Sequence, residues 1–382
     1  MYYLEHDGIS YQFNETPEDD DKYIIFTCAR DEEDYIKEWL DYHFSIGFDK
    51  IIVCDNNLDP KPLPILLEEY VKSGKVEIFD CSTVNRGQVK LFNMFARNGH
   101  YKWCAFIDVD EFIEISGRFD SIKDVLNECD AECLCLNWMV YGTNNIDKKE
   151  DGPVQERFKL PIMPSYGFKE NMYLKSILRK TDNFVVQYKN PHFPAGCKSY
   201  SYGLEPPMDR TTGMLHYPIH YKNIYIRHYT SKSKEEFYKK QKRGWADCDD
   251  EVLRQETHIN MLNSMVEIPL EEYTEGLFAI NKACDVTESF GKYDVYVVKG
   301  TESPYRLYTL NLLLGHIFKE LTDITVVIDE SINDTQYGVF LDLAIRTGNR
   351  LIACKDDFNL HKKIYEKYHK KWNNDFFYLF LR

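Results

Sequence analysis

Apolar positions along this chain recur with two alternating periods. YIIFTCA (23–29) is a nearly continuous apolar run of strand length. The next segment, 30–47, carries Tyr35, Ile36, Trp39, Leu40, His43 and Phe44 on one helical stripe and closes at Gly47. KIIVCDN (50–56) reads as a second strand and LPILLEEYVKSG (63–74) as a short helix, again ended by Gly. KVEIFDC (75–81) is a third strand and GQVKLFNMFARNG (87–99) a third helix. The fourth strand begins in WCAFIDVDEFIEI (103–115). Strands alternating with helices over short connections predict an α/β fold, a mixed and mostly parallel sheet covered by helices on both faces.

Ligands of such sheets bind beyond the carboxyl ends of the strands. The predicted order sets Thr27 to Arg30, Asp55 to Asn57 and Asp108 to Glu111 along that edge. The last cluster interrupts an apolar run with Asp108, Asp110 and Glu111, then the run resumes at Phe112 and Ile113. Like charges crowded at the end of a buried strand raise one another's pKa, and desolvation adds to the cost. A divalent cation, Mg²⁺ or Mn²⁺, removes it while leaving positions for water and phosphate. Continued strand geometry would turn Asp108 and Asp110 to the same side. A simple surface end of the strand and a phosphatase-type Asp nucleophile are the competing readings; the Gly and distal Glu of an EF-hand are missing. No Gly-rich phosphate loop follows the first strand, so phosphate would fall to metal and basic side chains.

Further along, ECLCLNWMVYGTNN (132–145), MYLKSILRK (172–180) and FVVQYKNPHFP (184–194) read as strands. Trp138, Tyr141 and Tyr173 are candidates for stacking on a sugar ring as well as for core. IYIRHYTSKSKEEFYKKQKRG (224–244) predicts a strand, a turn with Ser233 as N-cap and a helix with a basic ridge. That ridge concentrates Arg227, Lys232, Lys234, Lys239, Lys240, Lys242 and Arg243, as a diphosphate would require. An amphipathic helix is expected over 245–265. Strand–helix alternation then restarts near 290, with DVYVVKG, DITVVID and RLIACKD, as a small C-terminal α/β appendage. The expected division is 1–288 (nucleotide-binding half 23–115, acceptor half 116–245, helical extension 245–288) and 289–382.

Composition narrows the class. With 43% apolar and 29% charged residues the chain is an ordinary globular protein. A formal charge of −15 argues against nucleic acid as a partner. Eleven cysteines without a C-x-x-C pair fit a reducing, cytoplasmic setting. No apolar run reaches membrane-spanning length, which leaves room for peripheral association with the inner face of a membrane. The acidic run Glu18 to Asp21 is expected to be a surface lead-in.

CARDEEDYIKEWLDYHFSIGFDKIIVCDNN (28–57), Gln88, Asn93, KWCAFIDVDEF (102–112) and the His228–Gly244 segment together resemble the GT-A-fold glycosyltransferases, the family 2-like and family 92-like groups most closely. Asp31 stands where that pattern usually has Asn, Asn57-Leu58-Asp59 where Ser-x-Asp is common, and Tyr141 where Phe is common. The resemblance spans roughly 23–245 and implies a GT-A (Rossmann-like) fold. It also implies a metal-dependent, inverting enzyme that moves a sugar from a nucleotide-sugar, most plausibly a UDP-sugar, to a saccharide or lipid-linked saccharide acceptor. By the same resemblance Asp108 and Asp110 would bind Mn²⁺ or Mg²⁺ with His228 completing the shell. Arg30, Asp55 and Asn56 would hold the nucleoside, with Asp108 facing the ribose. Lys232 and Arg243 would take the diphosphate. An inverting reaction needs a carboxylate base; Glu170, Glu205 and Asp209 are candidates, Glu170 first, and Glu111 is expected to hold the acidic loop. Bacterial surface-polysaccharide or glycan synthesis is the setting this suggests. An Asp-nucleophile phosphohydrolase and a non-catalytic sugar-binding protein are the alternatives.

Overall fold

The computed structural model describes residues 19–84, 87–162, 170–181, 186–206, 213–216 and 219–243, together with the backbone of strands at 2–6, 9–13, 295–298, 325–329, 350–354 and 379–380. The chain divides into two compact units, Met1–Ile162 with Glu170–Glu267, and Met163–Lys169 with Ile268–Arg382. The helix expected at 245–265 and the helices expected in the C-terminal appendage lie outside the described residues.

In the first unit, β1 (Tyr2–His6) and β2 (Ile9–Phe13) form an antiparallel hairpin. Four parallel strands follow: β3 (Tyr23–Ala29), β4 (Lys50–Asp55), β5 (Val76–Asp80) and β6 (Trp103–Phe106). Helix α1 (Ile36–Ser45) follows its apolar stripe but starts later than the 30–47 segment. Asp31 adopts a φ of 54° and its N–H donates to Asn57 Oδ1 at 2.6 Å, which holds the preceding residues in a turn. Gly47, at φ 106°, ends the helix in a conformation that an L side chain disfavours. The 63–74 helix is two pieces, α2 (Pro62–Leu66) and α3 (Glu68–Lys72), parted at the fully buried Leu67. Helix α4 (Gln88–Asn98) lays Phe92 and Phe95 against Phe26 and Phe106, with Phe95 stacked on Phe26 at 4.5 Å. Asp19 is not a surface residue: it is buried and ion-paired to Lys22 and Lys50.

After β6 the acidic stretch does not continue as one strand. Residues 107–110 leave the sheet, and β7 (Glu111–Ile115) resumes four positions away in the order β5-β4-β3-β6-β9-β8-β13-β7. Five Cα steps reach at most about 18 Å, whereas four interstrand spacings need about 19 Å. The sheet must therefore curl to bring β7 back toward β6. Two of the three strands between them come next in the chain after α5 (Ile122–Glu128): β8 (Cys133–Val140) and β9 (Leu174–Arg179). Short α6 (Val154–Arg157) lies between these two in sequence. The strand expected at 184–194 shrinks to a two-residue pair, β10 (Gln187–Tyr188) with β11 (Pro194–Ala195). Asn190 Oδ1 accepts from the N–H groups of His192 and Phe193 and turns the chain there. Strand β12 (Tyr200–Tyr202) runs parallel to β8, and β13 (Ile224–His228) lies between β8 and β7. Helix α7 (Lys234–Arg243) follows. No helix among the described residues is long and apolar enough to cross a membrane.

The second unit carries an all-parallel sheet, β14 (Val295–Val298), β15 (Thr325–Asp329), β16 (Arg350–Cys354) and β17 (Leu379–Phe380), in the order β16-β15-β14-β17. Parallel pairing of β14 to β16 agrees with the alternation read from the sequence. Leu379–Phe380 supplies a fourth strand, outside the three expected from the sequence.

Candidate active site

Strand directions fix which residues share an edge. β8 is antiparallel to β9, which is antiparallel to β6, and β13 is parallel to β8. The carboxyl ends of β3, β4, β6 and β13 therefore face the same way, with β7 starting there. Arg30, Asp55, Asp108 and His228 come together on this edge although 198 positions separate the first from the last.

The acidic turn gives its two aspartates different partners. Asp108 lies by β9: Oδ1 accepts from Gln88 Nε2 at 2.5 Å and Oδ2 from Lys175 Nζ at 2.7 Å. Lys175, fully buried, also sits 3.5 Å from Glu111 Oε2. Burial works to lower its pKa, but Asp108 and Glu111 outweigh it and hold the pKa above the ordinary lysine value. Glu111 does hold the loop, since its Oε2 accepts from Asp108 N at 2.8 Å. Burial pushes its own carboxyl well up, with Lys175 opposing. Asp110 instead belongs to the β13 side. Its Oδ1 is 3.5 Å from His228 Nε2, its Oδ2 is paired with Lys240, and its carbonyl accepts from Tyr229 N. Residues 107–110 form a turn and do not extend β6, and the two carboxylates take different partners.

Protonation states follow from these contacts. Burial would raise the Asp110 carboxyl, but Lys240 and His228 overcome it and hold it well below the usual carboxylate range. Burial lowers the His228 imidazole against the pull of Asp110. An ionised carboxylate beside a neutral imidazole is the donor state a divalent cation needs. No group of three His, Cys, Asp or Glu side chains is gathered into a ready-made metal shell among the described residues. A metal here would draw its remaining ligands from phosphate and water, as Mg²⁺ sites commonly do.

Asp55, fully buried at the end of β4, accepts from Asn57 N at 3.1 Å through Oδ1, while Oδ2 finds no partner among the described residues. Burial, then Asp80 and Glu33, push its carboxyl up to about 6. The Asn56 amide donates to the carbonyls of Cys81 (2.6 Å) and Val84 (3.1 Å), tying down the loop after β5. Arg30 follows β3 at a half-buried position.

Ser233 does cap α7, in a reciprocal capping box: Glu236 N donates to Ser233 Oγ at 3.3 Å and Ser233 N to Glu236 Oε2 at 2.9 Å. Arg157 and Tyr35 also bond Glu236, and burial notwithstanding these partners lower its carboxyl to about 2. The basic ridge is not one exposed patch. Lys232 is buried with φ 53°, its ammonium 4.2 Å from the Tyr35 ring centre and 3.9 Å from Glu32. Lys240 spans Asp110 and the Thr230 carbonyl (3.3 Å). Lys234 bonds Asp147 at 2.7 Å, and Lys239 and Lys242 are exposed. The Arg243 side chain lies outside the described residues.

Glu170 opens a 3-10 turn, Glu170–Met172, and its carbonyl accepts from Tyr173 N. His216 and His220 stack on one another at 5.4 Å, and His216 lies flat on Tyr202. Tyr141 is core, stacked on Tyr229. Lys175 is the site residue that sequence reasoning missed. Its signal was present: one lysine inside the apolar strand LKSILR must find a carboxylate when that strand is buried.

The Rossmann-like sheet thus carries an acid–histidine–lysine cluster on its carboxyl edge. The model of glycosyltransferase family 92 matches residues 27–266, and the chain belongs to that family. No curated protein is similar enough to be matched to it. Family membership removes the phosphohydrolase alternative and narrows the two resemblances to family 92.

Proposed function

We propose that the chain transfers a sugar, with inversion, from a nucleotide-sugar, a UDP-sugar in the first instance, to a saccharide acceptor. The convergence of Asp110, His228 and Lys240 across 130 positions of sequence carries this reading. In it, the orphaned Asp55 Oδ2 accepts an N–H of the base, which would relieve a buried charge without a partner. Arg30 lies at the nucleoside end, and Asn56 contributes by shaping the loop beneath it. Asp110 and His228 would hold Mn²⁺ or Mg²⁺, which would supply positive charge against that of the departing diphosphate. Asp108, already bonded to Gln88 and Lys175, fixes the turn that presents Asp110. Lys240, Lys232 and Arg243 provide further positive charge for the diphosphate. Glu170 accepts the proton of the acceptor hydroxyl as its oxygen bonds the anomeric carbon and the carbon–phosphate-oxygen bond breaks. A lipid-linked acceptor, surface-polysaccharide or glycan synthesis and peripheral membrane contact belong to the same proposal.

Calorimetric titration of UDP, GDP and CDP with Mn²⁺, repeated in EDTA, tests it. Tight binding of one nucleotide that EDTA abolishes is the expected result. No binding of any nucleotide with metal present would refute the reading.

A further inference from the structure

Within the acid–histidine–lysine cluster, one side chain differs from its neighbours in freedom to move. The Asp110 and His228 side chains are 5% and 9% exposed, whereas that of Lys240 is 27% exposed. Lys240 reaches Asp110 Oδ2 from α7, and its Nζ also lies 3.3 Å from the Thr230 carbonyl. Helix α7 is fixed at its start, where Arg157 and Tyr35 hold the Ser233–Glu236 capping box. The flexible four-carbon stem of the lysine, and neither the helix start nor the sheet, is therefore the part that can move.

Charge gives that freedom a consequence. A carboxylate spreads one negative charge over two oxygens. Lys240 neutralises it from Oδ2, and buried Lys232 attracts it from farther off. The other oxygen, Oδ1, faces His228 Nε2 at 3.5 Å. A dication arriving at Oδ1 and Nε2 meets a carboxylate already balanced and an ammonium close by, and like charges at short range in a buried site repel strongly. Taking the ammonium off Asp110 restores the attraction. A diphosphate has the means to do so, because its several anionic oxygens outbid a single carboxylate for the same N–H donors.

We infer that Lys240 is a gate on the metal site: its ammonium neutralises Asp110 until a diphosphate draws it away, so that Mn²⁺ or Mg²⁺ binds tightly only together with the nucleotide. This rests on the metal and nucleotide placement proposed above and adds to it a control over when the metal is held. Linkage makes the effect reciprocal: nucleotide tightens metal by the same factor as metal tightens nucleotide.

The test counts free Mn²⁺ by its electron paramagnetic resonance signal while the full chain is titrated, with and without UDP, against protein-free controls. UDP should tighten Mn²⁺ on the unaltered protein by about tenfold or more. Lys240→Met keeps an unbranched apolar stem and removes the charge. It should bind Mn²⁺ alone about tenfold more tightly than the unaltered protein, and UDP should then add less. Lys240→Arg, which keeps the charge, should retain the weak binding of metal alone. Lys239→Met makes the same change of net charge at an exposed neighbour on α7 and should leave Mn²⁺ affinity unchanged. Mn²⁺ binding to Lys240→Met no tighter than to the unaltered protein overturns the gate, and so does equal tightening by Lys239→Met. If Lys240→Met does not fold, equal Mn²⁺ affinity of the unaltered protein with and without UDP overturns the gate by itself. In each of these cases the metal site stands. No Mn²⁺ binding to any of the proteins, with or without UDP, overturns the gate and the metal placement together.

Discussion

Replacing Asp55 with Asn should stabilise the protein at neutral pH while weakening nucleotide binding. Burial drives the carboxyl from its ordinary 3.8 to about 6, so at pH 7.5 the native state carries an ionised group whose Oδ2 has no partner among the described residues. That displacement corresponds to roughly 3 kcal/mol. The sign follows from proton binding: between the two pKa values the native chain holds a proton that the unfolded chain has released. The group's contribution to stability is therefore present below pH 3.8 and lost as pH rises through about 6. About 2 kcal/mol of that loss falls between pH 4.5 and 7.5. Asn leaves an amide in place of the orphaned oxygen, at a cost of about 1–2 kcal/mol. The variant should gain about 1–2 kcal/mol at pH 7.5 and nothing, or a slight loss, at pH 4.5. Urea unfolding followed by tryptophan fluorescence at the two pH values reads this directly, with UDP titration in parallel. A variant destabilised more at pH 7.5 than at pH 4.5 would show that the carboxylate is satisfied within the fold and refute the reasoning.

Asp110→Ala should abolish metal-dependent nucleotide binding with the circular dichroism spectrum retained; calorimetry with Mn²⁺ checks it, and wild-type binding would remove Asp110 from the site. Lys175→Met removes the buried ammonium that faces half-buried Asp108 and fully buried Glu111 and should lower stability by about 3–5 kcal/mol. Adding Glu111→Gln should recover part of that loss in denaturant unfolding, and an additive further loss would contradict the pairing. Glu170→Gln should leave nucleotide binding intact while slowing transfer by about 10²–10⁴-fold; an unchanged rate would remove Glu170 as the base.

Much of the α/β architecture was legible because period-two and period-3.6 patterns report burial directly, element by element. Strands β3 to β6 and helices α1 and α4 fell where the apolar residues recur, and the Ser233 cap was readable because capping is local chemistry. The same locality explains the errors. The turn at Asp31 depends on Asn57, and the two-residue pairing around Asn190 depends on an Asx turn inside an apolar run.

What the sequence determined alone is the inventory at the carboxyl edge of the sheet: which strands end in acids, and which helix carries the lysines. Tertiary structure decided how those groups pair. Because the sheet curls, four residues cross from β6 to β7 and deliver Asp108 to Lys175 and Asp110 to His228 and Lys240. Coulomb energy depends on separation and dielectric, not on sequence distance. The spacing of two aspartates can therefore announce an acidic site, but only the fold determines which cation answers each one.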